Sequence, residues 1–181
     1  MSTTTDAISE MKAKEEPFDI GEAFRTHYGR VARVIARVVH DFARAEELAV
    51  EVFLKLWRTE KPQTDKVEAW LYRVAVRTAL NELRGRLRRA RYERLFGLMR
   101  SNPLPATPEQ IRRATEEQER VCFVLGRLES RQAEFLILRS HGFSYEEVAS
   151  ILNMNPASIG TFLSRAQQAF RKEYIKKYGS E

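Results

Sequence analysis

Between Arg73 and Arg94 the chain places eight arginines against two acids, Glu82 and Glu93. Guanidinium groups at that density neutralise phosphates and release the counterions around them. Cations completing the dipole of a solvated helix end would account for about two or three of these residues, not for all of them. On a helix, Arg73, Arg77 and Arg84 are spaced by 4 and 7 residues and share one face. Trp70 lies one turn before that face, and Tyr72 lies close by. Flat rings stack on unpaired bases, so rings beside a cationic stripe mark a single-strand binding surface. Asn81 adds an amide able to hydrogen-bond a base edge.

A second stretch, 143–165, points to duplex DNA. Ser144 and Glu147 form an S-x-x-E capping box ahead of an apolar face of Val148, Ile151 and Leu152. Asn153-Met154-Asn155 breaks that pattern. Asn155 suits an N-cap and Pro156 a first helical position, where no amide is needed. A helix, a short turn and a second helix is the spacing of a helix-turn-helix, whose second helix enters the major groove. An ordinary helical hairpin is the alternative that this stretch alone leaves open.

No catalytic constellation accompanies these segments. Cys122 is alone, so no internal disulfide and no cysteine metal cluster is expected, only a packed thiol. His27, His40 and His141 are scattered without ligand-like partners. No glycine-rich phosphate loop or nucleophile motif occurs. Glu15-Glu16, Glu46-Glu47 and Glu146-Glu147 are adjacent in sequence, which turns their members about 100° apart on a helix and makes them solvated faces. The expectation is a non-enzyme without cofactor or metal.

The elements that must position these residues are helices. Phe24, Tyr28, Val31, Ile35, Val38 and Phe42 form one apolar stripe, with Arg25, Arg30, Arg33 and Arg37 off it. A second helix over roughly 43–59 turns Ala45, Leu48, Ala49, Val52 and Leu56 inward. Lys61-Pro62-Gln63-Thr64-Asp65 reads as a loop. A third helix starts near Lys66, with Val67, Leu71 and Val74 on one face, and runs into the arginines. Pro103, Pro105 and Pro108 forbid regular helix and mark a linker. Beyond it, helices are expected near 110–128 and near 131–140, the latter capped by Ser130. The predicted organisation is a disordered tail 1–17, a bundle 18–95, a linker 96–115 and a bundle 116–178. The fold class is all-α: two small helical bundles on a flexible linker, the second holding the helix-turn-helix.

Charge and hydropathy agree. Lys and Arg total 31 against 25 Asp and Glu, a net charge of +6, which suits nucleic acid when clustered. No run of about 18 apolar residues exists, so no membrane contact is expected. The polar N-terminal stretch lacks an apolar signal core, and a cytoplasmic location is predicted.

Three motifs together resemble the sigma factors of bacterial RNA polymerase, in the extracytoplasmic-function (ECF) group of the sigma-70 family. AEELAVEVFLKLWR, residues 45–58, is similar to the family's core-polymerase-binding helix. EAWLYRVAVRTALNELRGRLRR, residues 68–89, is similar to its helix for the −10 promoter element. Residues 129–171 are similar to its domain for the −35 element. The resemblance covers most of residues 20–172, in the family's order. It implies a promoter-recognition and DNA-melting role in transcription initiation, without catalysis. Its implied partners are core RNA polymerase (β′ clamp and β flap), promoter DNA and an anti-sigma factor.

At residue level, the resemblance assigns core binding to Glu47, Glu51, Leu54 and Trp57, with Trp57 equally open to a place in the core. It assigns the melted −10 strand to Trp70, Arg73, Arg77, Asn81 and Arg84. It assigns the −35 groove to Ser158, Thr161, Ser164, Arg165 and Gln168. The chain departs from the family at four positions. Val50 stands where a polar amide is frequent, Arg77 where an asparagine is, and Gly160 and Phe162 where basic residues are. The loop between Trp57 and Trp70 is also short for the family. Two other readings fit the residues: a helix-turn-helix regulator that does not engage polymerase, and a sigma-like protein whose last domain binds protein.

Overall fold

The computed structural model describes residues 18–59, 66–96 and 109–179, with the backbone alone at 109–114. The expected tail, the loop at 61–65 and the three linker prolines lie outside the described residues. Among the described residues, seven α-helices follow in order: α1 (Ile20–Val39), α2 (Phe42–Trp57), α3 (Val67–Leu95), α4 (Glu109–Arg127), α5 (Ser130–Ser140), α6 (Tyr145–Leu152) and α7 (Ile159–Tyr178). No strand occurs among the described residues, and the architecture is all-α.

Local chemistry sets the helix ends. The Asp19 carboxylate accepts from the Gly21 amide at 2.7 Å and opens α1. His40 adopts a left-handed φ of 55° and closes it, its amide bonding the Ala36 carbonyl. Asp41 then caps α2, accepting from the Arg44 amide at 3.0 Å. This break resets the phase of the apolar stripe. Val31, Ile35 and Val38 are buried as their spacing predicts, but Phe42 falls beyond the break and is 69% exposed. Ala45, Leu48, Ala49, Val52 and Leu56 of α2 are all buried.

The first bundle is α1 to α3, and the second is α4 to α7. Ser130 does not cap α5 as expected. Glu129 holds the cap position without a side-chain bond, and the Ser130 hydroxyl instead accepts from Arg84 of α3 at 2.8 Å. In the helix-turn-helix, the capping box closes reciprocally. The Ser144 amide donates to Glu147 Oε2 at 2.6 Å, and the Glu147 amide donates to Ser144 Oγ at 3.1 Å. Asn153 is left-handed at φ 53°, and Asn155 accepts from the Ala157 amide at 3.0 Å. The second helix does not begin as α-helix at Pro156: Pro156–Ser158 form a 3-10 turn, and α7 starts at Ile159.

The two bundles pack against each other, with α3 touching α4, α5 and α6. Phe143, 1% exposed, sits on Tyr72 with ring centroids 4.9 Å apart. Burying a ring of that size contributes about 1.5–3 kcal/mol. The apolar core runs continuously from one bundle into the other.

Candidate functional site

Three helix faces carry the candidate residues. On α2, Glu47, Glu51, Leu54 and Trp57 lie opposite the buried row. Leu54 is 41% and Trp57 67% exposed, so Trp57 is not core. Val50, 42% exposed, completes an apolar stripe Val50–Leu54–Trp57. A fixed charge network rims it. Arg44 donates to Glu47 Oε2 at 2.8 Å and to Glu82 Oε2 at 3.0 Å, and lies 4.0 Å from Glu51. Arg89 holds the other Glu82 oxygen at 3.2 Å. The hydrogen bond from Arg44 keeps the Glu82 carboxyl below the usual carboxylate range. Sequence reasoning missed Val50 and Arg44 as parts of this face. The signal for Val50 was an apolar residue one turn before Leu54, out of phase with the buried row.

The α3 face is different. Asn81 is exposed, Trp70 is half-buried, and Arg73 makes no ion pair among the described residues. Arg77 and Arg84, however, are engaged by the second bundle. Arg77 Nε donates to Glu134 Oε1 at 2.9 Å. Arg84 donates from three nitrogens: to the Gly126 carbonyl at 3.1 Å, to the Leu128 carbonyl at 2.8 Å and to the Ser130 hydroxyl. Tyr72 is 1% exposed, with the Arg30 guanidinium 5.0 Å from its ring centre. It is closed to stacking on bases in this arrangement, and burial pushes its hydroxyl up to about 12. Of the remaining arginines, Arg86 donates to the Val39 carbonyl at 2.7 Å and so closes the end of α1. Arg88, Arg91 and Arg94 are exposed.

The α7 face is open. Thr161, Ser164, Arg165 and Gln168 are exposed and Ser158 is half-buried, while Ile159, Leu163 and Ala166 anchor the helix beneath them. Phe162 is 37% exposed and lies flat on Phe135, with centroids 5.7 Å apart and an interplanar angle of 3°. A Cβ at Gly160 would meet only Tyr145 Cε2 at 3.8 Å, so no close approach demands that glycine.

Between the bundles runs a cleft of ≈ 1100 Å³, walled by Arg33, Arg37, Val121, Cys122, Leu125 and Phe170. His40 Nδ1 lies 2.6 Å from Gln118 Nε2 across it. Burial lowers the pKa of His40 and of His141 and raises that of the Cys122 thiol. No group of three metal-ligating side chains occurs among the described residues.

These faces fall within two matched segments. Residues 23–89 match Sigma-70 region 2, and residues 118–169 match Sigma-70 region 4. The chain belongs to the sigma-70 family, in its ECF group. It is 27% identical over 169 residues to the RNA polymerase sigma factor YlaC of Bacillus subtilis, covering 90% of this chain and 95% of that one. It is 26% identical over 176 residues to the ECF RNA polymerase sigma factor SigK of Mycobacterium bovis, covering 94% and 92%. Among solved structures, CnrH in complex with the cytosolic domain of CnrY shares the fold. The TM-score is 0.51 at 18% identity, over 84% of this chain and 85% of that one. Region 2 is thus the bundle that carries the α2 and α3 faces, and region 4 the bundle that carries α7. As a sigma factor, the chain is a polymerase-binding initiation factor.

Proposed function

We propose that the chain docks core polymerase through Glu47, Glu51, Leu54 and Trp57, and that this docking is what makes it a promoter-specificity subunit. The observation that carries the reading is the uncovered Val50–Leu54–Trp57 stripe, rimmed by the Arg44–Glu47–Glu51 charges. An apolar centre inside a charged rim is the anatomy of a protein interface. Among the described residues, Val50, Leu54 and Trp57 are all left exposed. On α3, Trp70, Arg73, Arg77, Asn81 and Arg84 hold the melted non-template strand of the −10 element. On α7, Ser158, Thr161, Ser164, Arg165 and Gln168 face the −35 groove. The domain limits that follow are 18–95 for region 2 and 116–178 for region 4. The chain works without catalysis of its own and in the cytoplasm. No helix among the described residues is long and apolar enough to cross a membrane. An anti-sigma factor is a further partner of this reading.

Run-off transcription with purified core polymerase is the direct test. The chain is expected to bind core and initiate from a defined promoter. Glu51→Arg with Leu54→Asp should weaken core binding by about 100-fold, since charge enters a desolvated interface centre. Helicity should be unchanged, because both side chains are exposed. Unaltered core affinity in that double variant would overturn the assignment of α2.

One observation favours a second reading for region 4. Phe162 presents an aromatic, not a cation, on the outward side of α7 and rests on Phe135. If region 4 binds a protein surface, Phe162→Arg should abolish that contact without changing promoter choice. If it reads DNA, the same variant should tighten promoter binding.

A further inference from the structure

The region 2 match stops at residue 89, but α3 runs on to Leu95, with Phe96 at its cap. Steps of three and four residues lead along one face from Trp70 through Arg73, Arg77, Asn81, Arg84 and Arg88 to Tyr92, and from there to Leu95 and Phe96. Tyr92, Leu95 and Phe96 are 60%, 68% and 71% exposed. The two rings lie nearly parallel, with centroids 6.5 Å apart and an interplanar angle of 13°. Arg88 precedes Tyr92 by one turn, Arg91 precedes Leu95 by one turn, and both are exposed, as is Arg94. Glu93 is the only acid in residues 83–96. This charge selects among occupants for the rings. A second copy of the same helix end would bring Arg88, Arg91 and Arg94 against their own kind. A lipid surface takes a helix with a long apolar face, and here the apolar residues occupy a single turn. Unpaired nucleotides match both features, offering flat π faces to the rings and phosphates to the guanidiniums.

We propose that Tyr92 and Phe96, flanked by Arg88 and Arg91, form a stacking platform at the end of α3 that binds unpaired nucleotides adjoining the −10 segment, so that the single-strand site extends beyond region 2. The proposal rests on the reading of α3 as the strand-binding surface. The platform continues that surface without a change of face or of charge. From Trp70 to Phe96 the face is about 40 Å long, which matches about 12 nucleotides of a stacked strand. A ring can stack on a base only when that base has left its pair. The platform therefore favours melted over paired promoter DNA by its differential affinity for the two.

The experiment measures fluorescence anisotropy of a labelled, mixed-sequence strand of about 12 nucleotides on the full chain bound to core polymerase, with core polymerase alone as background. Tyr92→Leu with Phe96→Leu keeps apolar area but removes the π faces. Tyr92→Trp with Phe96→Trp keeps the faces. Both side chains are exposed, so far-UV helicity should be the same in both pairs. The leucine pair should lose at least about tenfold in strand affinity, as expected for two lost base contacts, and the tryptophan pair should bind at least as tightly as wild type. Affinity for the same sequence as a duplex should change less than about twofold in either pair, because paired bases offer no face to a ring. Arg73→Ala is the reference for the rest of the face. If it weakens strand binding while the leucine pair binds as wild type does, the platform is overturned and the strand-binding reading of α3 stands. If neither weakens binding, both fall. A leucine pair that loses affinity for core polymerase, or changes the mass of the free chain in sedimentation, with strand affinity intact, would assign the rings to a protein and overturn the platform.

Discussion

The two surfaces proposed to face DNA are built from opposite materials and are found in opposite states. The α3 face is rich in arginine, and its Arg77 and Arg84 are bonded across the seam to region 4. The α7 face has Arg165 among small polar side chains, and it stands open. Strong cations close onto whatever oxygens lie nearest, because a guanidinium recognises carbonyl, carboxylate and phosphate by the same planar fork. Thr161, Ser164 and Gln168 have no such pull and stay exposed. The more cationic face is therefore also the one that the fold itself can occupy. On α7, shape rather than charge decides what is presented.

The largest effect that would break this contrast is on α3. Replacing Arg73, Arg77 and Arg84 together by alanine should reduce open-complex formation by about 100-fold, taking about 1 kcal/mol or more for each charge-assisted contact. Core binding should fall much less, since the α2 face is untouched. Equal loss of both, measured by permanganate reactivity of the promoter and by core affinity, would make these arginines structural. Arg73, which has no ion pair among the described residues, separates the roles further. Arg73→Ala should lower open-complex formation while leaving the buried Cys122 thiol slow to react with a maleimide, whereas Arg84→Ala should change both.

Much of this contrast was legible in the sequence, and its central fact was not. The buried row of α2, the capping box of α6 and the break in the helical pattern at Asn153 all follow from local rules of period and cap. The end of α1 did not follow, because a histidine rather than a glycine takes the left-handed cap at position 40. Phe42 was consequently misplaced on the inward stripe. The seam between bundles was out of reach for a different reason. Arg77 and Glu134 are 57 residues apart, and Arg84 meets its carbonyls more than 40 residues away. Neither periodicity nor spacing carries such pairings. An arginine bound to a helix end and an arginine bound to a phosphate also look identical in a sequence. Ser130 shows the same limit: a serine at a helix start reads as a cap, yet its hydroxyl is taken by Arg84.

The smaller effect belongs to α7. Arg165→Ala should weaken duplex binding by about tenfold and reduce the salt slope of binding by about one, as expected for one lost phosphate or base contact. The triple arginine variant of α3 should instead leave isolated −35 duplex binding unchanged. A salt slope of several units on the −35 duplex would show that α7 draws on cations beyond Arg165, such as Arg171 and Lys172 further along the same helix.

The smallest effect is one of pH, and it again distinguishes the closed seam from the open helix. His40 and His141 both lie in the seam, and both are held below the ordinary 6.5, first by burial. Arg86 adds to this for His40, and Arg37 for His141, while the Ile137 carbonyl, 2.7 Å from His141 Nδ1, opposes it. Both rings therefore take up protons less readily in the packed form than once it loosens. The sign follows: packing is fully supported above about pH 6.5 and weakens as pH falls from there towards the lowered values. The urea midpoint of the free chain should drop between about pH 7.5 and pH 5.5, and His141→Asn should flatten that drop. The sequence of α7 contains no histidine. Binding of the −35 duplex at fixed salt should therefore stay level across the same window. A midpoint that holds steady, or groove binding that titrates with it, would remove the distinction between the two faces at this point.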